Sequence, residues 1–316
     1  MSNPIAMIAM GGNSLSPKGE TGDIHQQFAH TRRALEGIKY FIDLEYNLCI
    51  NHGNGPQVGN ELLRMDLTHK KVPPLPLGVC VAGTQGSIGY MIQQSLQNKL
   101  RDMLIDREVV TMITQVIIDK NAPSIKNPTK YIGKRYSEKE AKALLKKFDW
   151  SIKEQEKGYW RRVVPSPMPE YIMHGKSIKA LVDRGTIVIA SGGGGIPVFN
   201  DSSGHLEGLD AVIDKDYTAA KLGRIIRATE LWIITDVDYI YKDFGTAYQK
   251  PITYITRQEI EKQYESGIFQ KGSIGPKIKA AIHFLKYHGK KVIITSIPCI
   301  KDALNGNAGT EIRNEV

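Results

Sequence analysis

The sequence predicts an α/β fold in which helices cover both faces of a mainly parallel sheet. Apolar runs of strand length alternate with helical patterns, and the runs are almost continuously apolar. Strands of that kind are buried on both faces, as in parallel sheets flanked by helices. The predicted strands are residues 5–10, 48–51, 109–118, 186–190, 231–235 and 292–297.

Two amphipathic helices are predicted from apolar residues at helical spacing. The first apolar stripe consists of Phe28, Leu35, Ile38 and Ile42. The second consists of Ile278, Ala281, Ile282 and Leu285, with Pro276 before it and Gly289 after it. Proline at the start of a helix and glycine beyond its end are typical boundaries.

Residues 121–169 interrupt this alternation and predict a small projecting subdomain. The segment begins with a proline-containing stretch (121–136) and ends with a proline-rich one (163–169). Between them a helix starts with Ser137 and Glu140 at capping-box spacing.

The chain carries a net charge of +9, which is concentrated in one segment. Residues 120–162 hold 13 Lys or Arg against 5 Asp or Glu, an excess of eight positive charges. No zinc finger, aromatic RNA-binding signature or recognition helix accompanies them, so a nucleic-acid partner is not expected. A polyphosphate substrate would account for local positive charge, and the alternative is that most of these lysines are solvated surface residues.

Cysteine usage and hydropathy predict a cytoplasmic protein without a membrane segment. Cys49, Cys80 and Cys299 are odd in number, far apart and without a C-x-x-C pair, so neither a disulfide framework nor a structural zinc site is expected. We expect Cys49 and Cys299 to be buried, inert thiols. Residues 72–98 carry no charge, but their prolines, glycines and glutamines predict a loop followed by a buried helix. We expect no secretory signal, because the first residues show neither a basic segment nor a small-residue cleavage site.

Three glycine-rich turns directly follow predicted strands: Gly11-Gly12, Gly53-Asn54-Gly55 and residues 192–195. Ligands of parallel α/β sheets bind beyond the carboxyl ends of the strands. Glycine there allows backbone N–H groups to surround an anion. One such cluster is more often only a tight turn, but three of them at strand ends favour an anion site.

The common nucleotide motifs are absent. Glu170 replaces the first glycine of a P-loop pattern, and Pro197 replaces the last glycine of a dinucleotide pattern that starts at Gly192. No histidines have metal-ligand spacing. We interpret His52 as a structural hydrogen-bonding residue rather than a base.

Two lysines occupy electrostatically unfavourable places. Lys277 follows Pro276 in the first turn of a helix, and Lys215 precedes a helix predicted from about residue 217 with Asp216 as its N-cap. A cation there opposes the helix dipole unless a phosphate docks beside it. The alternative is that either lysine is simply exposed. Phosphoryl transfer depends on such positioned cations and needs no covalent nucleophile.

Nine short motifs follow one another along the chain: Gly11-Gly12-Asn13, residues 52–59 (HGNGPQVG), Gln85-Gly86, residues 127–130 (NPTK), residues 161–167 (RRVVPSP), residues 193–197 (GGGIP), residues 211–216 (AVIDKD), residues 235–238 (TDVD) and Gly275-Pro276-Lys277. In these motifs and in their order, the sequence resembles the carbamate kinases of the amino-acid kinase family from end to end. The resemblance implies a three-layer αβα sandwich, a homodimer, and reversible phosphoryl transfer between ATP and carbamate, with magnesium held through nucleotide phosphates and water. It implies one domain with an acceptor lobe (about 1–206), a nucleotide lobe (about 207–316) and residues 121–169 as a mobile lid.

The resemblance also assigns roles to individual residues. Lys130, Lys215 and Lys277 would neutralise the transferring phosphoryl group, and Asp216 would orient lysines. The carbamate and phosphoryl group would be surrounded by Gly11, Gly12, Asn13, Gly53, Asn54, Gly193 and Gly194. The nucleotide would contact Asp236, Tyr241, Ile274 and Lys277.

The sequence departs from the family pattern at Ser14, where alanine is usual, and at Tyr131, where proline is usual. Both lie beside motifs expected at the phosphoryl end. Alternatives are a paralogue that acts on another small carboxylate or carbamate-like acceptor, and a catalytically silent regulatory protein. Acetylglutamate kinases fit less well, because Ala9-Met10 stand where they have a lysine.

Overall fold

The computed structural model describes residues 3–12, 22–269, 274–287 and 289–315. The strands are β1 (Ile5–Met10), β2 (Asn47–His52), β3 (Val109–Met112), β4 (Gln115–Ile118), β5 (Lys130–Tyr136), β6 (Ile152–Glu156), β7 (Tyr159–Val164), β8 (Pro169–Ile172), β9 (Ile187–Ala190), β10 (Ile196–Asn200), β11 (Leu206–Gly208), β12 (Glu230–Thr235), β13 (Ile240–Lys242), β14 (Lys250–Ile252), β15 (Tyr254–Thr256), β16 (Lys291–Ser296) and β17 (Thr310–Arg313). The helices are α1 (Ile24–Asp43), α2 (Gly55–Thr68), α3 (Leu77–Asp102), α4 (Pro123–Lys126), α5 (Glu138–Lys147), α6 (Gly175–Asp183), α7 (Lys215–Ile225), α8 (Arg257–Glu265), α9 (Ile274–Tyr287) and α10 (Ile300–Leu304).

A large sheet forms the middle layer, with the strand order β15-β17-β16-β12-β1-β2-β9-β3. All of its pairs are parallel except β16 with β17. Its central strands are buried on both faces, as their continuous apolar sequences predict.

Two hydrophobic clusters cover this sheet, one on each face. Ile8 and Met10 of β1 pack in the cluster that contains the buried residues of α1 and α3. Met7 and Ala9 point the other way, into the cluster that contains those of α7 and α9. Because neighbouring side chains of a strand alternate between faces, one strand supplies both cores. The three-layer αβα sandwich is confirmed.

The predicted strand over residues 109–118 is wrong as a single element. It breaks after Met112, so that β3 joins the large sheet and β4 joins a second sheet of order β11-β10-β4-β8. The break is at Thr114, whose N–H donates to Gln85 Oε1 (2.8 Å) and whose carbonyl accepts from Gln85 Nε2 (3.2 Å). The Gln85 side chain of α3 thus binds both backbone groups of Thr114, and the same carbonyl also accepts from Ile196 N of β10 (2.9 Å). The other predicted strands are present within a residue of each end.

Both predicted amphipathic helices are present as α1 and α9, with the expected stripes facing the sheet. Residues 72–98 form a loop and then most of α3, as predicted. None of the helices described is long and apolar enough to cross a membrane. The burial prediction holds for Cys49 but is wrong for Cys299, which is partly exposed where the chain leaves β16; Cys80 is buried instead.

The projecting segment folds as a three-stranded antiparallel sheet, β5-β7-β6, with α5 beside it. The capping box of Ser137 and Glu140 is present, whereas the strands were not predicted. This subdomain, called the lid below, packs against helix α2. Asp66 of α2 accepts hydrogen bonds from Trp150 Nε1 and Arg162 Nη1, each at 2.7 Å.

Candidate active site

The carboxyl ends of the central strands meet where the chain order of the sheet reverses. Strand β1 has β2 on one side and β12 on the other, so the first and second halves of the chain diverge from this point. Gly11 N donates to the carbonyl of Ile234 in β12 (3.0 Å), and Gly53 N donates to that of Met10 (3.0 Å). This reversal is the usual ligand site of open parallel sheets.

The glycine turns at this edge are packed against one another. A Cβ built on Gly53 would lie 2.7 Å from Gly12 N and 2.9 Å from Gly12 Cα. Gly193 has a φ of +65°, and a Cβ there would overlap the amide of Asn54. The turns therefore require glycine for close backbone approach as well as for conformation. Asn13, predicted beside them, lies outside the described residues.

Gly53→Ala is expected to destabilise the protein by about 1–3 kcal/mol, because the added methyl group separates the turns after β1 and β2. Gly86→Ala is the matched control, since a Cβ there meets no described atom beyond its own helix within 4 Å. That change should raise the unfolding free energy by about 0.5–1 kcal/mol. Urea unfolding measures both, and an unchanged stability of Gly53→Ala would refute the close packing.

A buried polar network supports the turns from below. Asn54 Nδ2 donates to Thr84 Oγ1 of α3 (2.9 Å), and Gln85 Nε2 donates to the carbonyl of Gly192 (3.0 Å). The Asn54 side chain therefore positions the turn, while its backbone lies at the edge. No role was predicted for Gln85, although Gln85-Gly86 is one of the motifs that match the family and the amide lies in an uncharged helix.

Helix α7 begins earlier than predicted, and its N-cap is Asp214 rather than Asp216. Asp214 Oδ1 accepts from the backbone N–H groups of Asp216 (3.0 Å) and Tyr217 (3.4 Å). Lys215 is thus the first residue of the helix. Because Asp214 supplies the cap, the carboxylate of Asp216 is available for other contacts.

Two lysines share the Asp216 carboxylate. Lys215 Nζ lies 2.5 Å from Oδ1, and Lys277 Nζ lies 3.0 Å from Oδ2. The side chains of Asp216, Lys215 and Lys277 are 4%, 11% and 12% exposed. The three residues come from the N-terminal turns of α7 and α9, so both helix dipoles add to the positive potential. Lys215 and Lys277, which were singled out from the sequence, therefore lie together in the structure.

The electrostatics of the cluster favour the charged forms of Asp216 and Lys277. Burial alone would raise the pKa of the Asp216 carboxyl, but the charges and hydrogen bonds of Lys215 and Lys277 hold it well below its usual range. Burial lowers the pKa of Lys215, and Asp216 offsets this only in part. Burial also opposes charge on Lys277, yet Asp216, Asp214 and Asp236 leave its pKa raised. The result is one carboxylate held between two lysine side chains.

Lys130 joins this cluster from the lid. Its Nζ lies 2.6 Å from Asp214 Oδ2, and the two side chains are 30% and 21% exposed. Burial would raise the pKa of Asp214, but Lys130 lowers it below the usual value. All three predicted lysines therefore lie on two adjoining aspartates at the N-terminus of α7.

His52 is buried under Gly192 and is neutral. Its Nδ1 lies 3.1 Å from the Gly53 carbonyl oxygen, which can only accept, so Nδ1 carries the proton. Burial, aided by the charge of Lys215, lowers the pKa of His52 to about 4. These contacts support the structural role predicted from the sequence.

The stability of the protein should therefore fall as the pH drops from about 7 toward 4. Unfolded His52 binds a proton near pH 6.5 and folded His52 only near 4, so the unfolded state gains protons in that window. The contribution of His52 to this loss between pH 7.5 and pH 5 is about 2 kcal/mol. In urea unfolding, His52→Asn should remove that part of the pH dependence, and the exposed His205→Asn should not. Identical pH dependence in all three proteins would contradict a neutral His52.

The residues predicted to contact a nucleotide lie on the β12 side of the site. Asp236 follows β12 directly, and its Oδ1 accepts from Thr235 Oγ1 (3.1 Å). Ile274 is the first described residue of α9, three positions before Lys277. Tyr241 stands apart on the β13–β14 hairpin, where its ring packs against Tyr239 and Phe244. The structure thus connects Asp236 and Ile274 to the lysine cluster more closely than Tyr241.

The profile of the amino acid kinase family matches residues 4–296. The chain belongs to the amino acid kinase family. Carbamate kinase of Pyrococcus horikoshii is 44% identical over 308 residues, which cover 97% of this chain and 98% of that protein.

Solved structures of the amino acid kinase family reproduce the whole architecture. Carbamate kinase from Giardia lamblia bound to citric acid has a TM-score of 0.94 at 36% identity, and the match covers 99% of both chains. The same Giardia enzyme bound to AMP-PNP has a TM-score of 0.89, with the same identity and coverage. The overall fold, over nearly the whole chain, is therefore shared with these enzymes.

Proposed function

We propose that this protein is a carbamate kinase, which transfers a phosphoryl group reversibly between ATP and carbamate. Full-length identity of 44% to a carbamate kinase supports this proposal. The observation that carries it in the chain itself is the buried Lys215–Asp216–Lys277 cluster beside the glycine turns. That combination provides fixed positive charge and backbone N–H groups for a phosphoryl group.

The transfer consists of one bond exchange at phosphorus. In the direction of ATP synthesis, an oxygen of the ADP β-phosphate forms a bond to the phosphorus of carbamoyl phosphate. The bond from that phosphorus to the carbamate oxygen breaks, and its electron pair leaves on carbamate. Neither oxygen carries a proton, so the step needs no general base. A neutral, buried His52 is consistent with this chemistry.

The role of the lysines is to stabilise charge on the transferring group. Three ammonium groups and two carboxylates leave one net positive charge in the cluster. Asp216 fixes Lys215 and Lys277 in place, so little reorganisation is needed when phosphoryl charge develops. Lys277 lies near Asp236 and the expected nucleotide, and Lys130 approaches from the lid.

Magnesium enters this proposal as part of the nucleotide substrate. Within the described ranges, no group of three His, Cys, Asp or Glu residues is arranged to hold a metal ion. The two aspartates of the cluster are occupied by lysines. Magnesium commonly keeps several waters and binds largely through nucleotide phosphates, which fits such a site. Nucleotide use is supported by the Giardia enzyme bound to AMP-PNP.

Tyr131, one of the departures from the family pattern, lies in the lid sheet. Its hydroxyl donates to the carbonyl of Glu154 (3.0 Å), inside the lid. The hydroxyl is thus engaged within the lid sheet. Ser14, the other departure from the family pattern, lies outside the described residues.

The homodimer, the cytoplasmic location and a role in arginine metabolism stay predictions.

A coupled assay of ATP formation from MgADP and carbamoyl phosphate tests the proposal. Carbamoyl phosphate is a mixed anhydride, so ATP synthesis is the chemically easier direction. We expect an ATP signal that depends on both substrates and on magnesium. Folded protein that gives no ATP above the protein-free background would overturn the proposal. Faster ATP formation from acetyl phosphate would replace it with a paralogue that uses another acceptor.

A further inference from the structure

We propose that Asp214 is a positioning residue that docks the lid lysine, Lys130, beside the Lys215–Asp216–Lys277 cluster. The proposal rests on the phosphoryl transfer described above and adds a residue to it. Asp214 lies in a motif shared with the family, but its sequence position suggested only a residue before a helix. The proposal rests on the different partners of the two carboxylate oxygens of Asp214: Oδ1 contacts helix α7, and Oδ2 contacts Lys130.

One oxygen of Asp214 serves the helix. Oδ1 accepts from the N–H groups of Asp216 and Tyr217, which fixes the first turn of α7. Lys215 lies in the same turn, so this oxygen also fixes the backbone position of Lys215. Asparagine caps helices about as well as aspartate, so this task needs no charge.

The other oxygen serves the lid. Oδ2 accepts from Lys130 Nζ at 2.6 Å, across 84 positions of sequence. Both side chains are mostly shielded from water, so this pair is not of the weak, fully exposed kind. Hydrogen bonds between charged partners are the strong ones, and they depend on the charge of the acceptor. Docking of Lys130 therefore needs aspartate.

Lys130 needs such a dock because the rest of the lid is attached elsewhere. The lid packs on α2 through Gly133 against Gly59 and through the contacts of Asp66 with Trp150 and Arg162. These contacts place strand β5 but leave the four-carbon side chain of Lys130 free to rotate. The ion pair selects the rotamer that reaches the N-terminus of α7.

The negative charge of Asp214 also has an effect that opposes catalysis, because it repels the anionic substrate. Asp214 adds negative charge near an anionic substrate, so its removal should favour substrate binding by simple attraction. Loss of positioning should lower kcat, whereas loss of repulsion should lower only KM. Asp214→Asn separates the two effects, because it keeps the cap and the shape and removes the charge.

The kinetic test is a double-mutant cycle with Lys130. Asp214→Asn should lower kcat of ATP formation about tenfold, the size of one charge-assisted hydrogen bond, without raising KM for carbamoyl phosphate. In a Lys130→Ala background the same change should have no further effect on kcat. Asp23→Asn makes the same change at the N-cap of α1 and should leave both constants unchanged. A tenfold loss that persists without Lys130, or a wild-type kcat in Asp214→Asn, would overturn the proposal.

A second readout does not depend on activity. Lysine acetylation by acetic anhydride, followed by mass spectrometry, compares Lys130 with Lys134, an exposed lysine of the same strand. Asp214→Asn should raise the labelling rate of Lys130 several-fold and leave that of Lys134 unchanged. Unchanged labelling of Lys130 would refute docking even if the enzyme is active. If wild type makes no ATP while Lys130 labelling responds, the proposed function fails and docking stands.

Discussion

Lys277→Ala is expected to lower kcat of ATP formation from carbamoyl phosphate by at least about 10²-fold, a loss typical of groups that stabilise developing charge. The ammonium group lies 3.0 Å from Asp216 Oδ2 and the Lys277 side chain is 12% exposed, so a water molecule in its place would be a poor substitute for the lost charge. Lys215→Ala should have an effect of similar size for the same reason. Steady-state kinetics with saturating MgADP measure both variants.

The control for Lys277→Ala is Lys279→Ala, two residues along the same helix. Lys279 is exposed, and its ammonium group lies 5.8 Å from the centre of the Tyr217 ring. That variant should keep the wild-type kcat. A wild-type rate in Lys277→Ala would show that the lysine does not face the transferring group.

Asp216→Asn is expected to destabilise the protein by about 3–5 kcal/mol and to abolish most activity. The change leaves two buried ammonium groups without their shared counter-charge, and the loss of one partner from a buried ion pair costs about that much. Urea unfolding measures the stability. Asp183→Asn is the control, since it breaks an exposed pair with Lys179 on α6 and should cost less than about 1 kcal/mol.

A second change checks the cause of this destabilisation. Adding Lys215→Met to Asp216→Asn removes one of the unpaired cations and should restore part of the lost stability. The pH dependence gives another check, because the pKa of folded Asp216 is held below its usual range. The stabilisation by ionised Asp216 is present above about pH 4 and is lost as the pH falls further. The difference in unfolding free energy between wild type and Asp216→Asn should therefore become smaller below about pH 4. Equal stability of the two proteins at pH 7 would contradict the shared carboxylate.

The central layer could be predicted from sequence because its signals are local. Strand β1 is a continuous apolar run, which predicts its burial, and the Gly11-Gly12 turn that follows predicts a candidate site at its carboxyl end. Lys215 and Lys277 were recognisable because a cation in the first turn of a helix opposes its dipole.

The rest depended on contacts between distant residues. Lys277 meets Asp216 across 61 positions, so no local pattern indicates the shared carboxylate. The break between β3 and β4 is made by Gln85, which lies 29 residues away. Asp214 and Asp216 are equally good N-caps by residue type, and only the packed helix selects the first. The lid strands were missed because their mixed charges follow neither strand nor helix periodicity.

Phosphorus-31 NMR of carbamoyl phosphate with MgADP and the wild-type protein is the most direct test of the central claim. The account predicts that the carbamoyl phosphate signal decays as the γ-phosphoryl signal of ATP grows, with Lys277→Ala much slower in the same experiment. Decay to inorganic phosphate at the protein-free rate, with no ATP signal, would contradict it.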